Sequence, residues 1–113
     1  MGTMTEAELR ELIAQAKDEQ WEELDLAGME LEVLPPEIGE LTQLKRLLLG
    51  KFDEEKREWV GNRLTRLPDE LWELRNLEEL KIAANQLTEI PDAIAQLSNL
   101  TELWLQNNQI TVI

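Results

Sequence analysis

The sequence has no cysteine, no histidine and no tyrosine among its 113 residues. Without cysteine, neither a disulfide framework nor a thiolate zinc site can form. Without histidine and cysteine, the Ser–His–Asp and Cys–His arrangements of nucleophilic catalysis are excluded. The acidic residues fall at variable, solvent-facing positions of the pattern described below, which is typical of a charged surface. We therefore expect no enzymatic activity, no cofactor and no bound metal.

Basic residues are also scarce: 11 Lys and Arg stand against 24 Asp and Glu, which gives a formal net charge of −13. Nucleic acids and anionic lipid surfaces bind proteins through basic groups that neutralise phosphate. The composition therefore predicts neither a nucleic-acid partner nor a membrane partner. We expect most of the excess negative charge to serve solubility.

Long apolar runs are missing as well. No segment approaches the length of a membrane-spanning helix. The N-terminus is acidic and lacks the basic-then-apolar layout of a secretory signal. Together with the absence of cysteine, these features predict a cytoplasmic protein.

Aromatic residues make up only 4 % of the chain, whereas hydrophobic residues reach 42 %, so the core must be built mainly from Leu and Ile. These aliphatic residues follow the pattern LxxLxLxxNxLxxLPxxIxxL, with an offset of 23 residues between the copies that begin at Leu77 and Leu100. A fixed period of this length is the sequence signature of a solenoid. The predicted organisation is a leader with a capping helix at 1–20 and a repeat array at 21–113, divided into 21–43, 44–76 with a ten-residue insertion within 50–61, 77–99 and a partial copy at 100–113.

Each constrained position of the pattern has a mechanical reason. The alternation at the end of LxxLxL indicates a strand with the leucines inward and the residue between them on the opposite face. Asn62, Asn85 and Asn108 recur where the chain leaves the strand, and stacked amides can satisfy the turn backbone. The proline near the end fixes φ, and the helical spacing after it predicts a short helical turn. Stacking such units predicts an α/β solenoid with a concave parallel β-sheet and short convex helical turns.

The segment before the first copy predicts an amphipathic helix over roughly residues 6–19. Thr5 and Glu8 make a capping box at its start. Leu9, Ile13 and Ala16 recur on one face of this helix. Because a repeat cannot bury its own apolar face, we expect the helix to cover the open end of the array.

The other end carries no comparable cap, since the last copy stops at Ile113. Leu103, Leu105 and Ile110 would then have no repeat beneath them. Two interpretations remain open: the chain is a fragment of a longer array, or this end is covered by a partner or by self-association. We favour the fragment.

The insertion within 50–61 is rich in charge but contains Phe52, Trp59 and Val60. Asp53 is a suitable N-cap, and Gly61 a suitable end, for a helix of about two turns. The apolar residues predict that the excursion folds back onto the repeats. Phe52 and Trp59 could contact a partner, and a merely packed loop is an equally weighted alternative.

The variable strand positions are predicted to form three cross-strand rows on the concave face: Glu23, Arg46, Glu79, Glu102; then Asp25, Leu48, Lys81, Trp104; then Ala27, Gly50, Ala83, Gln106. Leu48 and Trp104 are apolar where the strand should face water, and exposed Trp is an enriched interface anchor. The small third row would leave room for a partner. The predicted concave binding surface comprises Leu48, Lys81, Trp104, Arg46, Glu79, Glu102 and Gln106.

Alternatives to binding exist at each apolar position. Phe52 or Trp59 could cover Leu48, and Trp104 could pack along Lys81. On the convex side, Trp72 occupies the position held by Gly39 and Ala95 in other copies. It is a second candidate surface anchor.

The repeat pattern resembles the 23-residue repeats of intracellular leucine-rich-repeat proteins. Two stretches are similar to bacterial, especially cyanobacterial, Roco proteins. The first is the leader LRELIAQAKDEQWEELDLAGMELEVLPPEIGELTQL, and the second is LKRLLLGK followed by a charged insertion and GNRLTRLPDELWELRNLEELKIAANQLTEIP. In that family the repeats precede a Ras-like GTPase domain and a dimerising domain. The sequence contains neither, so the resemblance implies no GTP-binding residue in this chain.

These observations together predict a non-catalytic protein-interaction module, the leucine-rich-repeat region of an intracellular bacterial regulator, which binds an unidentified protein partner through its concave face. The alternative is a structural N-terminal capping and folding unit with no ligand of its own.

Overall fold

The computed structural model describes residues 4–111 and confirms the α/β solenoid. One α-helix precedes five strands, and three 3-10 helices lie on the convex side. The elements in chain order are α1 Glu6–Asp18, β1 Glu23–Asp25, the first 3-10 turn Pro36–Glu40, β2 Arg46–Asp53, β3 Glu58–Val60, the second 3-10 turn Asp69–Glu73, β4 Glu79–Ile82, the third 3-10 turn Asp92–Gln96 and β5 Glu102–Trp104.

The concave sheet is parallel, with the strand order β1-β2-β4-β5. Its register confirms the first two predicted rows. Glu23 pairs with Arg46, Arg46 with Glu79, and Glu79 with Glu102. The second row is Asp25, Leu48, Lys81 and Trp104.

The third row is not continuous. A register shift between Leu48 and Gly50 pairs Gly50 with Ile82 rather than with Ala83. A Cβ atom on Gly50 would lie 1.6 Å from the backbone oxygen of Ala83. The glycine is therefore required by a close approach of two backbones, and the small residues of this row do not leave room for a partner.

Strands β1, β2 and β4 place their inward leucines in one continuous core, as the pattern predicts. Leu47, Leu49 and Leu80 are completely buried. The asparagines form the predicted ladder at the turn that follows. Asn85 donates from Nδ2 to the carbonyl oxygens of Leu49 and Ala83, and its Oδ1 accepts from the backbone N–H of Leu64. Asn62 and Asn108 make equivalent contacts with the neighbouring turns.

The N-terminal helix covers the first repeat, as predicted. Leu9, Ile13 and Ala16 are buried. The capping box is present in both directions, since Glu8 N–H donates to Thr5 Oγ1 and Thr5 N–H donates to Glu8 Oε1. Of residues 4–111, no helix is both long and apolar enough to cross a membrane.

The insertion is a β-hairpin, so the predicted helix is wrong. β2 continues beyond the parallel sheet to Asp53 and pairs antiparallel with β3. Phe52 lies opposite Trp59, and cross-strand aromatic pairs stabilise a hairpin. Asp53 does accept backbone hydrogen bonds, from Glu55 and Lys56, but it does so in the hairpin loop. Arg57, at φ 55°, closes that loop.

Trp72 is also placed differently from the prediction. It lies in the second 3-10 turn and is only 3 % exposed, because it belongs to the core cluster. With Leu67, Leu87 and Pro91 it lines the gap between the second and third convex turns. A buried ring at this position fills space between repeats, so Trp72 is not a surface anchor.

Candidate functional site

The base of the hairpin makes close contacts with neighbouring parts of the chain. A Cβ atom on Gly61 would lie 1.8 Å from the backbone oxygen of Ala84, and one on Gly28 would lie 2.8 Å from Val60 Cγ1. The N–H of Gly28 donates to the carbonyl oxygen of Gly61 at 2.9 Å. These contacts pack the base of the hairpin closely against the neighbouring turns.

One face of the hairpin carries the rings of Phe52 and Trp59, and Trp59 contacts Trp104 in β5. The ring centroids of Phe52 and Trp59 are 5.2 Å apart, and those of Trp59 and Trp104 are 6.3 Å apart, both edge to face. Such contacts are favourable for aromatic pairs. We call Phe52, Trp59 and Trp104 the aromatic cluster. Phe52 and Trp59 are each 38 % exposed, and Trp104 is half-buried.

Lys81 joins the aromatic cluster to the charged row. Its Nζ lies 4.2 Å from the ring centroid of Trp104, a cation–π contact. The same Nζ lies 3.8 Å from a carboxylate oxygen of Glu79 and 3.8 Å from one of Glu102. The single positive charge of Lys81 thus interacts with the two negative charges of Glu79 and Glu102 and with the indole ring of Trp104, so this group of side chains has a net negative charge.

The other two cations of the concave side are paired in the same way. Arg46 donates to Glu23 at 2.8 Å, and this bond raises the pKa of Arg46. Lys51 donates to Asp25, and this bond raises the pKa of Lys51. Both groups titrate far above neutral pH, so each stays positively charged and engaged with a carboxylate of the chain.

The structure thus brings together six of the predicted residues: Phe52, Trp59, Lys81, Trp104, Glu79 and Glu102. Leu48 is half-buried beside Lys81 in the second row. Arg46 lies in the first row, and Gln106 is exposed beyond the end of β5. Trp72 is separate from this surface, on the convex side.

Sequence reasoning missed the Lys51–Asp25 ion pair. The signal was present, because Lys51 and Asp53 alternate with Phe52 in the way strand residues do. A strand interpretation would have placed Lys51 and Phe52 on opposite faces of the insertion. It would also have paired Phe52 with Trp59.

Outside the concave side, the surface of residues 4–111 has shallow grooves but no cluster of side chains arranged for catalysis or metal binding. Two grooves, of about 430 and 460 Å³, lie between neighbouring convex turns, and Thr65 and Arg66 are among the residues that line both. Within residues 4–111, no group of three or more acidic side chains is arranged to hold a metal ion. The arrangement on the concave side is one of apolar rings, a shared ammonium group and carboxylates, which suits recognition.

Comparison with known proteins defines the class. Residues 60–110 match the family model described as leucine rich repeat. The concave parallel sheet, convex turns and asparagine ladder extend the same architecture to the first repeat. The chain therefore has the leucine-rich-repeat fold, and domains of this fold are typically non-catalytic and commonly bind proteins.

Three solved structures are similar over most of the chain. A leucine-rich-repeat protein of Leptospira interrogans has 39 % identity over 75 % of this chain, with a TM-score of 0.61. Toll of Drosophila, in a complex with Spatzle, has 36 % identity over 74 % and a TM-score of 0.60. An internalin of Listeria monocytogenes has 27 % identity over 91 % and a TM-score of 0.66.

All three are much longer than this sequence. The chain spans 19 % of the Leptospira protein, 10 % of Toll and 29 % of the internalin. No curated protein sequence matches the chain.

Proposed function

We propose that this domain binds a protein partner through its concave face, centred on the aromatic cluster and Lys81. The observation that carries the proposal is the contact of Trp59 with Trp104 across the concave side, with a ring centroid distance of 6.3 Å. Partly exposed Trp side chains are enriched among residues that dominate binding energy. The ring contacts and the β3 pairing hold Phe52 and Trp59 in place before a partner binds, which lowers the ordering cost of binding.

The surrounding side chains supply orientation rather than most of the affinity. Exposed ion pairs contribute little free energy, but charges at an interface guide association and reject wrong partners. Glu79, Lys81 and Glu102 lie beside the apolar rings, and Gln106 is exposed at the rim. An apolar centre with a polar border is the usual anatomy of a protein interface.

A photocrosslinking experiment tests the face. Benzoylphenylalanine is placed at Gln106 on the concave side or, as a matched control, at Gln96 in the third convex turn. Both positions are exposed. In a lysate of the source organism, we expect a discrete adduct from position 106 that is absent from position 96. Replacing Trp104 with Ala should remove that adduct.

The opposite pattern would reject the concave face. An adduct that forms from position 96 alone places the partner on the convex side. An adduct from position 106 that survives Trp104→Ala unchanged shows that binding does not depend on the aromatic cluster, which would reject the proposed centre. Circular dichroism of the Trp104→Ala protein checks that the sheet is intact before the adducts are compared.

A second candidate function is a structural capping and folding unit. Helix α1 buries Leu9, Ile13 and Ala16 against the first repeat. Leu103 is 38 % exposed, whereas its equivalents Leu47 and Leu80 are fully buried. A further repeat, a partner or a second copy of the chain would cover Leu103. A constant monomer mass in sedimentation at increasing concentration would reject self-association through this end.

The cellular setting is a further part of the proposal. The leader and the placed insertion resemble Roco proteins, which supports a role as the repeat region of a cytoplasmic bacterial regulator. The gene sequence that follows the codon for Ile113 tests this assignment to a regulator. Further repeats followed by a phosphate-binding loop would support the regulator. A different downstream domain would reject it.

A further inference from the structure

The charges around the aromatic cluster indicate which chemistry a partner needs. The concave cations Arg46, Lys51 and Lys81 each contact a carboxylate of the same chain. Lys81 is shared between Glu79 and Glu102, so its single charge cannot neutralise both. The chain as a whole has a formal net charge of −13. Charges within about 8 Å act with little screening at physiological ionic strength, so the surface favours a positively charged partner.

The loop and strands of the hairpin extend this negative region. Asp53, Glu54, Glu55 and Glu58 lie in or beside the hairpin loop, with Lys56 and Arg57 as the nearby cations. Asp53 lies directly opposite Glu58 in the antiparallel pair. Among residues 4–111, no ion pair involves Glu54, Glu55 or Glu58. Because side chains alternate along a strand, Asp53 and Glu58 lie on the face of the hairpin opposite Phe52 and Trp59, and Glu54 and Glu55 lie in the loop. These carboxylates attract a cationic segment as it approaches but do not contact it at the rings.

Lys81 itself shows that an ammonium group fits this environment. It lies over an indole ring and between two carboxylates. Trp59 is the next ring in the cluster and is 38 % exposed, more than Trp104, which is half-buried. In the described part of the chain the cation–π contact is made at Trp104, and Trp59 has none. Trp59 is thus a second indole surface in the same negative field, open to a cation from outside.

We propose that the concave surface recognises a peptide segment in which a Lys or Arg side chain stacks on Trp59 while a neighbouring apolar side chain contacts Phe52. The carboxylates of Glu79 and Glu102 attract the cation, and the rings hold it. This inference rests on the proposed function and specifies the partner's chemistry. An acidic segment would meet the carboxylates of Glu79 and Glu102 beside the rings.

A binding assay with defined probes tests the chemistry. The full chain is titrated with a short labelled peptide of repeating Lys, Leu and Gly, and with its counterpart in which Glu replaces Lys; fluorescence anisotropy is the readout. We expect the Lys peptide to bind and the Glu peptide not to bind. Trp59→Leu keeps an apolar side chain in the hairpin and should weaken the Lys peptide about fivefold, from the loss of a cation–π contact.

Matched charge variants separate a specific surface from general attraction. Glu79→Gln with Glu102→Gln should weaken the Lys peptide about fivefold, as for loss of close charge partners. Glu70→Gln with Glu73→Gln makes the same change of net charge in the second convex turn and should weaken it less than about twofold. Equal losses in the two double variants, or unchanged binding in Trp59→Leu, would overturn the proposal. Because the Gln replacements are isosteric and lie on the surface, they test it even if Trp59→Leu disturbs the hairpin.

The outcome for the proposed function is separate. If the crosslinked partner segment from position 106 has no Lys or Arg, or if the Glu peptide binds and the Lys peptide does not, the cationic partner is rejected while the concave face stands. If neither peptide binds and position 106 gives no adduct, both proposals are rejected.

Discussion

The leucine stack and the hairpin are stabilised in different ways. In the stack, the inward leucine positions recur from repeat to repeat, and Asn62, Asn85 and Asn108 make the same kind of turn contact. The hairpin occurs once, and its contacts are single: one aromatic pair, one ion pair to Asp25 and two glycines packed against Ala83 and Ala84. Repetition provides the scaffold, and the single excursion distinguishes this surface from that of a regular array.

The largest expected difference lies along the stack itself. Leu80 is fully buried in β4, whereas the equivalent Leu103 in β5 is 38 % exposed. Leu80→Ala should lower the free energy of unfolding by about 3–4 kcal/mol, because it leaves a cavity in the core. Leu103→Ala should cost about 1 kcal/mol, because less apolar area is lost. Urea denaturation measures both, and equal losses would show that β5 is as well covered as β4.

The asparagine ladder should give the next largest effect. Asn85→Ala removes the side-chain partners of the Ala83 carbonyl group and of the Leu64 N–H, whereas the Leu49 carbonyl group keeps its hydrogen bond from Asn62 Nδ2. We expect a loss of about 2–3 kcal/mol, since buried polar groups without partners are costly. Asn76→Ala is the control, because this exposed side chain donates one hydrogen bond, to Thr42. If the two variants unfold at the same urea concentration, the ladder does not contribute as described.

The aromatic pair of the hairpin should contribute less to global stability. Phe52→Ala should lower the free energy of unfolding by about 1 kcal/mol, the scale of one aromatic pair. Its main effect should be local, with faster hydrogen exchange of the β3 amides. Trp72→Ala is the contrasting change, because this buried ring should cost about 3–5 kcal/mol. A larger global loss for Phe52→Ala than for Trp72→Ala would contradict their placement.

The smallest effect concerns acid stability of the capping helix. Hydrogen bonds from the backbone N–H and the hydroxyl of Thr5 lower the pKa of Glu8. A carboxyl with a lowered folded-state pKa stabilises the protein above its unfolded-state pKa, and this contribution is lost as the pH falls through the folded-state pKa. Thermal melts from neutral to acidic pH should therefore show a slightly shallower acid decline for Glu8→Gln. An identical acid slope in both proteins would argue against this cap.

The repeats were predictable because their residues are fixed by geometry that the sequence repeats. The strand register, asparagine ladder and capping box all follow from spacing. The fold of the insertion was not predictable, because Asp53 and Gly61 suit a helix as well as a hairpin loop. The hairpin is favoured by the contact of Phe52 with Trp59 across the two strands. Trp72 was misplaced for a similar reason, since its convex position is filled by Gly39 and Ala95 in other copies. Only the packing between repeats shows that a large ring fits there.

The predicted concave surface was partly accessible to the same reasoning. Cross-strand rows follow from the repeat offset, so Lys81 beside Trp104 was predictable. The contact of Trp59 with Trp104 was not, because it joins a one-time excursion to a strand far along the chain. The bulge at Gly50 was also hidden, since a glycine in a row of small residues does not reveal which backbone approaches it.

The most direct test of the account uses the tryptophans as built-in reporters. Trp59 and Trp104 lie on the proposed surface, Trp72 lies in the core and Trp21 lies half-buried beside the capping helix. In a proton–nitrogen correlation spectrum, the indole N–H signals of Trp59 and Trp104 should shift on addition of the Lys peptide, while those of Trp72 and Trp21 stay in place. Shifts at Trp21 or Trp72 with none at Trp59 and Trp104 would contradict the concave surface as the binding site.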